Sequence, residues 1–557
     1  MKNESFRILP DKAQYAIGQP VRLEIKGVKR DEADQIKFTV FDCRGPKCEI
    51  TSLDVSENFL LLPESFSEKK GGYLVKAELF GKEIRKDTAY TAFDVAEHWE
   101  DTPRYGFLSC FSGEEPQTGS YGEFFRTMHL NAIQFYDWMY RHDCFYPEED
   151  LYTDIMGRQG SMAAVRNRID GVHSCGGKAI AYGAVYGAES FQEEHPECRY
   201  LHDNGDPMVF IDKIWLMDIH QGTAWRKQIL SEYGKALDSG FDGIHMDQYG
   251  DPKEAFVSKE NQMVIRDLAD DFQDLINEAK ETYPEKYFIF NAVNNWPVDS
   301  VAKSREDCVY IEVWSPNDTY GDLFRLIEHA RIQGEGKQVI LAAYLNPFKT
   351  DTLPNKNGAT AQLAMATIFA SGGFHLLLGE EGRILTEAYY PDNCPIGDTP
   401  LMESFRRYYD FITAYGEMLF PKDWTDVTMQ YAGGINSEFA FPNVDWSPYP
   451  EAGKVWIRIY KRGREFSVRY VNFTGITDMN WNHTHPDFPV PKKEIETRIK
   501  LPGEKIEIRV MSPDSSDQEP VTPDYTVSCG EDKRQEIVFR IPELSVFAAA
   551  YIQINEI

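Results

Sequence analysis

The stretch Gly240–Pro252, GFDGIHMDQYGDP, is the part of the sequence from which the fold is best inferred. Its run from Phe241 to Met246 is mostly apolar on both faces, which is typical of a parallel strand that is covered on both sides. Asp247 follows where the strand ends. In a (β/α)8 barrel the active site lies at the carboxyl ends of the strands, so an acid here is a catalytic candidate. A lone acid after a strand can also cap the next turn, so the interpretation depends on the rest of the chain.

Eight apolar runs of this kind alternate with helical patterns over about 320 residues, which favours a (β/α)8 TIM barrel with long loops. One of the helical patterns is Gln262 to Thr282, where Val264, Leu268, Phe272, Leu275 and Ile276 fall on one face. An open doubly wound sheet is the alternative, but no GxGxxG or Walker loop opens a helix. The predicted strands are Tyr105 to Leu108, Ala132 to Phe135, Ala179 to Tyr182, Phe241 to Met246, Tyr287 to Phe290, Val309 to Ile311, Val339 to Ala343 and Phe374 to Leu378.

The regions on either side of the predicted barrel have the short, turn-separated runs of β-sandwiches. We therefore predict three domains in the 557 residues: a β-sandwich over 1–97, the catalytic barrel over 98–420 and a second β-sandwich over 421–557.

The composition excludes several classes of partner. With 42% hydrophobic and 27% charged residues, the chain has the make-up of a soluble globular protein. Its formal net charge of -30 repels phosphate backbones and anionic membranes, so we expect no nucleic-acid partner. No apolar run approaches the ~20 residues that span a bilayer, so no membrane insertion is expected. The start, MKNESFRILPDK, has no signal-peptide core, which indicates a cytoplasmic protein or one whose leader was removed.

The nine cysteines form no spacing typical of a metal site. Cys43 and Cys48, in a predicted turn, are the one pair that merits a test for a disulfide. Since an HExxH pattern is also missing from the sequence, we expect neither a metal nor another cofactor, and we assign packing or hydrogen-bonding roles to His220 and His245.

Four acids stand where predicted barrel strands end: Asp137, Asp247, Glu312 and Glu380. Hydrolysis of a glycosidic bond uses two carboxyl groups, and strands four and six lie near each other around a barrel, so Asp247 and Glu312 are the favoured pair. Apolar neighbours of Glu312 are expected to raise its pKa and suit it to donate a proton, whereas polar neighbours of Asp247 are expected to keep it ionised. A salt-bridged loop position is the alternative for Glu312.

The run GFDGIHMDQYGDP, together with LNAIQFYDWMYRH upstream and YIEVWSP downstream, resembles glycoside hydrolase family 66. That family contains dextranases and cycloisomaltooligosaccharide glucanotransferases. The resemblance implies an N-terminal immunoglobulin-like domain, a catalytic (β/α)8 barrel and a C-terminal β-sandwich. It also implies that Asp247 is the nucleophile and Glu312 the acid/base of a retaining double displacement on α-1,6-linked glucan, with dextran as substrate and isomaltooligosaccharides as products.

Other residues near the predicted strand ends could bind sugar through polar groups or aromatic faces, although a core role is about as plausible for each of them. They are Tyr136, Asp137, Trp138 and His142 after strand two, Asn291, Asn294 and Trp296 after strand five, Trp314 and Tyr320 after strand six, and Tyr344 and Asn346 after strand seven.

Two other functions remain open from the sequence. A glucanotransferase of the same family would cyclise the glucan, but no β-rich insertion of ~90 residues interrupts the eight predicted units, so hydrolysis is preferred. A non-catalytic glycan-binding protein is the other alternative, and the presence of both acids disfavours it. We expect a monomer or a simple homo-oligomer.

Overall fold

The computed structural model describes residues 5–29, 33–53, 58–113, 120–260, 262–350, 357–501, 505–529 and 535–555. The first four residues of the start considered above lie outside these ranges. Within them the protein is multidomain and mostly β, and a curled 11-stranded sheet lies at its centre. No helix in the described part of the chain is long and apolar enough to cross a membrane.

The N-terminal region consists of two sheets around their own apolar core. One sheet has the order β1-β3-β6 and the other β2-β8-β7-β4-β5. Phe38, Val40, Val75 and Phe93 lie in the core between them because alternate side chains of each strand point inward. The strands are β1 (Arg7–Pro10), β2 (Tyr15–Ala16), β3 (Arg22–Lys26), β4 (Gln35–Asp42), β5 (Gly45–Leu53), β6 (Phe59–Leu61), β7 (Gly71–Gly81) and β8 (Ile84–Ala96). Cys43 and Cys48 are both free thiols.

The central region alternates strands with helices. Its strands are β9 (Tyr105–Leu108), β10 (Ala132–Phe135), β11 (Leu151–Thr153), β12 (Gln159–Ser161), β13 (Lys178–Ala184), β14 (Gly187–Ala188), β15 (Val209–Phe210), β16 (Ile214–Leu216), β17 (Gly243–Asp247), β18 (Glu254–Lys259), β19 (Gln262–Asp267), β20 (Tyr287–Asn291), β21 (Cys308–Glu312), β22 (Val339–Ala342), β23 (Phe374–His375), β24 (Leu378–Gly379), β25 (Arg383–Ile384) and β26 (Cys394–Pro395). Its helices are α1 (Ser120–Thr127), α2 (Met162–Ser174), α3 (Phe191–Glu194), α4 (Ala224–Asp238), α5 (Leu268–Thr282), α6 (Val298–Val301), α7 (Tyr320–Gln333), α8 (Pro347–Thr350), α9 (Gly358–Ala370), α10 (Thr399–Ala414) and α11 (Gly416–Leu419).

The 11-stranded sheet has the order β23-β22-β21-β20-β17-β13-β10-β9-β24-β25-β26, and the pairs from β23 to β24 in this order are parallel. Strands therefore occur at all eight predicted positions. The eighth is split, since β23 pairs with β22 whereas β24, three residues later, pairs with β9 at the other end of the row. One short segment, 374–379, thus contacts both ends of the parallel row.

The predicted helix from Gln262 to Thr282 is wrong over its first six residues. Residues 262–267 form β19, which pairs antiparallel with β18, and the helix α5 begins only at Leu268. Asp267 caps this helix by accepting a hydrogen bond from the Ala269 N–H at 3.0 Å. Val264 therefore belongs to a hairpin and not to the apolar face of the helix.

The C-terminal region again has two sheets with a core between them. Ile457, Val468, Ile537 and Ile552 lie in that core. The sheets are β27-β30-β31-β36-β33, with β29 beside β30, and β28-β32-β35-β34. The elements are β27 (Thr425–Asp426), α12 (Thr428–Ala432), β28 (Phe439–Ala440), β29 (Trp446–Ser447), β30 (Val455–Arg462), β31 (Glu465–Asn472), β32 (Lys492–Lys500), β33 (Lys505–Met511), β34 (Tyr525–Cys529), β35 (Gln535–Leu544) and β36 (Phe547–Asn555).

Candidate functional site

A cavity of about 500 Å³ opens at the carboxyl ends of the parallel strands. Both favoured acids line it, because Asp247 is the last residue of β17 and Glu312 is the last residue of β21. The strand between them is β20, whose last residue is Asn291. Three polar side chains therefore end neighbouring strands at the same edge of the sheet.

Asp247 is fixed by two hydrogen bonds. The Tyr182 hydroxyl donates to Asp247 Oδ2 at 2.7 Å, and Asn291 Nδ2 donates to Asp247 Oδ1 at 2.7 Å. Strand β17 can lie close enough to β20 because residue 243 is glycine, where an added Cβ would stand 2.5 Å from the Tyr287 carbonyl oxygen. These contacts orient the carboxylate toward the cavity and leave it little rotational freedom.

Glu312 is held in the same manner. The Tyr344 hydroxyl donates to Glu312 Oε1 at 2.7 Å, and Asn291 Nδ2 donates to Glu312 Oε2 at 3.0 Å. The Glu312 N–H also donates to Asn291 Oδ1 at 3.3 Å. One amide group therefore contacts both carboxylates.

The shared amide limits the separation of the two carboxylates. Since Asn291 Nδ2 lies 2.7 Å from one carboxylate oxygen and 3.0 Å from the other, these oxygens are separated by no more than the sum, about 5.7 Å. Retaining glycosidases place their two carboxyl groups about 5–5.5 Å apart, whereas inverting enzymes need about 6.5–9.5 Å to admit a water molecule. The spacing of Asp247 and Glu312 is of the shorter kind.

Burial raises the pKa of both carboxyl groups. For Asp247, burial and then the charge of Glu312 raise the pKa to about 7, although the hydrogen bonds from Asn291 and Tyr182 act to lower it. For Glu312, burial raises the pKa against the opposing hydrogen bonds from Tyr344 and Asn291. The polar sequence neighbours expected to keep Asp247 ionised therefore do not dominate its pKa, because burial of the carboxyl group raises it. The two groups therefore titrate as a coupled pair, and burial favours retention of a proton on it.

Of the predicted sugar-binding residues, Tyr136, Asp137, His142, Asn291, Trp314 and Tyr344 line the cavity. Asp137 Oδ2 lies 3.3 Å from the Arg158 guanidinium, and His142 Nδ1 lies 2.5 Å from Glu189 Oε1. Burial lowers the pKa of His142, but the hydrogen bond and charge of Glu189 outweigh this and raise it overall. The polar side of the cavity therefore carries charges of both signs.

Trp138 and Tyr320 are not at the cavity. Trp138 is fully buried, and its indole N–H donates to the Tyr182 carbonyl at 3.1 Å. Tyr320 is equally buried at the start of α7, where its ring packs against Phe473. Neither ring lines the cavity in this structure, although both were predicted as sugar-binding residues. Both are instead core residues of the molecule.

Asn294 also lies outside the cavity lining but acts on a residue within it. Its Oδ1 accepts a hydrogen bond from the Trp314 N–H at 2.7 Å, and its Nδ2 donates to the Ser315 carbonyl at 3.3 Å. Asn294 therefore holds the loop that carries Trp314. Trp296 and Asn346 are likewise not among the lining residues: Lys253 covers the Trp296 ring, and Asn346 is exposed.

Several cavity residues were not predicted from the sequence. Tyr182 ends the third predicted strand, so its place at a strand end was a signal that could have identified it. The others come from loops or from the floor of the cavity, and His245 in the floor is kept neutral because burial lowers its pKa to about 3. The additional lining residues include Gln134, Met156, Tyr182, Phe210, Ile211, His245, Tyr249, Tyr310, Tyr389 and Tyr390.

Glu380, the fourth acid, borders a second cavity of about 400 Å³ that shares Asp137 with the first. Its Oε1 accepts hydrogen bonds from the N–H and the hydroxyl of Ser109 and from the N–H of Cys110. Glu380 thus holds the chain that follows β9. Among the described residues, no group of three or more His, Cys, Asp and Glu side chains could hold a metal ion.

Comparisons with known proteins point to one family. The model of "Glycosyl hydrolase family 66" matches residues 10–551. A cycloisomaltooligosaccharide glucanotransferase of Niallia circulans is 24% identical over 83% of this chain and 62% of its own length. A dextranase of Streptococcus salivarius is 24% identical over 93% of this chain and 71% of its own length. The chain thus spans a little under two thirds of the length of that glucanotransferase.

A solved structure has the same fold. It is a cycloisomaltooligosaccharide glucanotransferase of Paenibacillus sp. complexed with cycloisomaltoheptaose, with a TM-score of 0.86 and 20% identity, and the alignment covers 98% of this chain and 100% of that chain. At this identity the likeness shows the fold alone, whereas the family model covers nearly the whole sequence. The chain belongs to glycosyl hydrolase family 66.

Proposed function

We propose that this chain is a retaining dextranase that cleaves α-1,6-glucosidic linkages inside dextran and releases isomaltooligosaccharides. The observation that carries this proposal is the contact of Asn291 with both Asp247 and Glu312, because it sets two buried carboxyl groups at the short spacing of retaining enzymes. The dextranase relative supports dextran as the substrate, and the α-1,6 linkage is taken from the resemblance of the motifs.

In the first step Asp247 is the nucleophile and Glu312 the acid. A carboxylate oxygen of Asp247 bonds to the anomeric carbon while the bond from that carbon to the leaving oxygen breaks, and the Glu312 proton passes to the leaving oxygen. In the second step Glu312 takes a proton from water, the water oxygen bonds to the anomeric carbon, and the Asp247 carboxylate is regenerated. The reaction requires one proton on the pair, and burial, which raises the pKa of both groups, favours its retention.

We infer that the eight parallel strand positions form a closed (β/α)8 barrel. In support, segment 374–379 pairs with β22 at one end and with β9 at the other. We further propose domain boundaries near residues 97 and 420. Separate apolar cores within the N-terminal and C-terminal regions support these boundaries, as does the third core around the central sheet.

A cycloisomaltooligosaccharide glucanotransferase is the second candidate function, because the relatives of this chain include that activity. Such an enzyme would use the same first step, and the free end of the bound glucan would then replace water in the second. A time course with dextran distinguishes the two functions. We expect linear isomaltooligosaccharides, whereas cyclic products would assign the chain to the transferases.

Two variants test the assigned roles on dextran and on an α-glycosyl fluoride. We expect Glu312→Gln to lower turnover of dextran by about a hundredfold or more while largely sparing the fluoride, whose leaving group needs no proton. We expect Asp247→Gly to be inactive and to be rescued by azide, with a β-configured glycosyl azide as product because one displacement replaces two. Proton NMR should detect α-configured ends released early by the intact enzyme. Early β-anomers would show an inverting mechanism and would reassign Asp247 as a base.

A further inference from the structure

A loop of the C-terminal region lies against the loops that follow β21 and β22 in the central region. It consists of residues 479–482, between β31 and β32, and we call it the bracing loop. Trp481 in this loop is 3% exposed, and its indole N–H donates to the Asn317 carbonyl at 2.8 Å. Asn482 Oδ1 accepts a hydrogen bond from the Asn346 N–H at 2.9 Å. The bracing loop therefore contacts two loops of the central region at once.

Main-chain hydrogen bonds strengthen the attachment to the loop that follows β21. The Trp481 N–H donates to the Asp318 carbonyl at 3.1 Å, and the Tyr320 N–H donates to the Met479 carbonyl at 3.0 Å. Together with the indole contact, three hydrogen bonds join residues 317–320 to the bracing loop. Because each of them holds a main-chain atom of residues 317–320, they restrict the movement of the loop as a whole.

Each braced loop carries a side chain that contacts Glu312. The Asn317 N–H donates to the Trp314 carbonyl at 3.0 Å, and the Trp314 side chain forms a hydrogen bond with Glu312. In the other loop the Asn346 N–H also donates to the Tyr344 carbonyl at 3.2 Å, and the Tyr344 hydroxyl donates to Glu312 Oε1 at 2.7 Å. Asn317 and Asn346 thus link the bracing loop to two of the side chains that hold Glu312.

We propose that the bracing loop positions Glu312 for proton transfer, with Trp481 and Asn482 as positioning residues that act through Trp314 and Tyr344. This inference rests on the acid role that the proposed function gives to Glu312. In the first step the O–H bond of Glu312 breaks as its proton passes to the leaving oxygen. The rate of that transfer depends on how closely the carboxyl group is held toward the leaving oxygen.

The candidate nucleophile is held from other strands. Asp247 accepts hydrogen bonds from Tyr182 and Asn291, which belong to β13 and β20. The braced loops instead follow β21 and β22. We therefore expect a loosened bracing loop to impair donation of the proton more than attack by the nucleophile.

The test compares two substrates that need the proton to different degrees. Para-nitrophenyl α-isomaltotrioside releases an acidic phenol and needs little protonation, whereas phenyl α-isomaltotrioside releases a much weaker acid and depends on the proton of Glu312. Both leaving groups are single aromatic rings, so a loss of substrate binding lowers kcat/KM for both alike. The ratio of kcat/KM for the nitrophenyl glycoside to that for the phenyl glycoside therefore measures proton donation.

We expect Trp481→Phe and Asn482→Ala each to raise this ratio by roughly tenfold, because Glu312 is held less closely toward the leaving oxygen. The change should come from a fall in kcat/KM for the phenyl glycoside. Trp481→Phe keeps an aromatic ring and removes the indole donor to Asn317, and Asn482→Ala removes the acceptor for the Asn346 N–H.

Two matched controls remove the same kinds of hydrogen bond inside the C-terminal region. The Trp456 indole N–H donates to the Pro448 carbonyl at 3.0 Å, so Trp456→Phe is the control for the tryptophan variant. Asn443 Oδ1 accepts from the Glu496 N–H at 2.9 Å, so Asn443→Ala is the control for the asparagine variant. Both controls should keep the wild-type ratio, whatever their effect on the thermal midpoint.

An unchanged ratio in one variant would remove that residue from the positioning role, and an unchanged ratio in both would overturn the inference. An equal fall of kcat/KM for the two glycosides would also overturn it, since it would show a loss of binding or of folded protein. So would a ratio that rises as much in the controls. Each of these results leaves the proposed function in place, whereas a wild-type chain that releases neither phenol would overturn the proposed function itself.

Discussion

Asn291 is the residue through which the two candidate carboxyl groups are held together. Its side-chain nitrogen donates to both, and its oxygen accepts from the Glu312 backbone. An amide suits this position because it donates protons and carries no charge of its own, so it favours the ionised forms without creating an ion pair. Among the described residues its contacts are directed at the carboxyl pair and at the neighbouring strands, which suits a positioning residue better than a sugar ligand.

Replacing Asn291 should change the pH profile as well as the rate. Hydrogen bonds from this amide lower the pKa of both carboxyl groups, so Asn291→Ala should raise them further. Wild-type kcat/KM should fall as the pair loses its last proton with rising pH, and the variant should keep its activity to a higher pH. We also expect kcat to fall by about a hundredfold as the carboxylates lose their orientation.

The measurement is a profile of kcat/KM against pH for hydrolysis of dextran. Asn346→Ala provides the control, since Asn346 also follows a parallel strand but does not line the cavity. Its profile should match that of the wild type. If Asn291→Ala lowered the rate with no displacement of the alkaline limb, the amide would act on substrate and not on the carboxyl pair.

Much of the site could be predicted because apolar runs show where strands end. Asp247 and Glu312 both emerged from this argument, and both line one cavity. The raised pKa of Asp247 could not be predicted, since it depends first on burial and then on the charge of Glu312, and both are set by the tertiary structure. Nor does the sequence show which way a side chain after a strand points. Trp138 lies three residues beyond the end of β10, yet it turns into the core.

At the level of elements, the hairpin of β18 and β19 shows where periodicity misleads. Val264 and Leu268 are four residues apart and therefore fit a helical face, although the chain changes from strand to helix at Asp267. The run from Met263 to Ile265 is short and apolar, and two of its three residues are β-branched, which suits a strand equally well. Pairing with β18 decides between the two, and pairing is a tertiary contact.

The loop before β21 contains a buried acid that should make stability depend on pH. Glu306 lies two residues before this strand, and neither carboxyl oxygen makes a well-formed hydrogen bond within the described part of the chain. Burial raises its pKa to about 8, against the opposing charge of Lys337. The pKa of Glu306 is higher in the folded protein than in the unfolded protein. The contribution of Glu306 to stability is therefore full below about pH 4.5 and is lost as the pH rises through about 8.

Glu306→Gln should therefore flatten the dependence of unfolding free energy on pH. Glutamine cannot ionise. We therefore expect the unfolding free energy of the variant, relative to that of the wild type, to increase by on the order of a few kcal/mol between pH 5 and pH 8. Urea unfolding at both values measures the difference. Glu335→Gln, at an exposed position, should leave the wild-type dependence in place. Equal slopes for Glu306→Gln and the wild type would mean that water reaches the Glu306 carboxyl group.

For the whole molecule, side chains from the outer regions contribute to the core of the central sheet. Phe41 and Leu74 from the N-terminal region and Phe547 from the C-terminal region belong to the same apolar cluster as the parallel strands. β-rich runs in the sequence predicted the two outer regions, because turns interrupt short alternating strands. Their packing against the centre was not predictable, since it depends on surfaces formed only after folding.

Arg469 provides the sharpest test of this packing. It lies on β31, is fully buried, and donates to the carbonyl groups of Ala370 at 2.8 Å, Met418 at 3.2 Å and Leu419 at 2.7 Å. These carbonyls stand at the ends of α9 and α11, where a cation is favoured. Burial lowers the Arg469 pKa to about 10, so the side chain is still charged at neutral pH.

We expect Arg469→Met to lower the unfolding free energy by about 2–5 kcal/mol, because three buried carbonyls lose their donors at about 1–3 kcal/mol each before relaxation. The loss should weaken the contact of the C-terminal sheet with the central helices, so calorimetry should resolve an earlier transition for that region. Arg498→Met, on the exposed side of β32, should unfold as the wild type does. If Arg469→Met melted in one transition at the wild-type midpoint, the apolar contacts alone would hold the C-terminal region in place. Because Phe473 of that region packs against Tyr320 at the start of α7, which follows Glu312 in the chain, the earlier transition should also end activity on dextran.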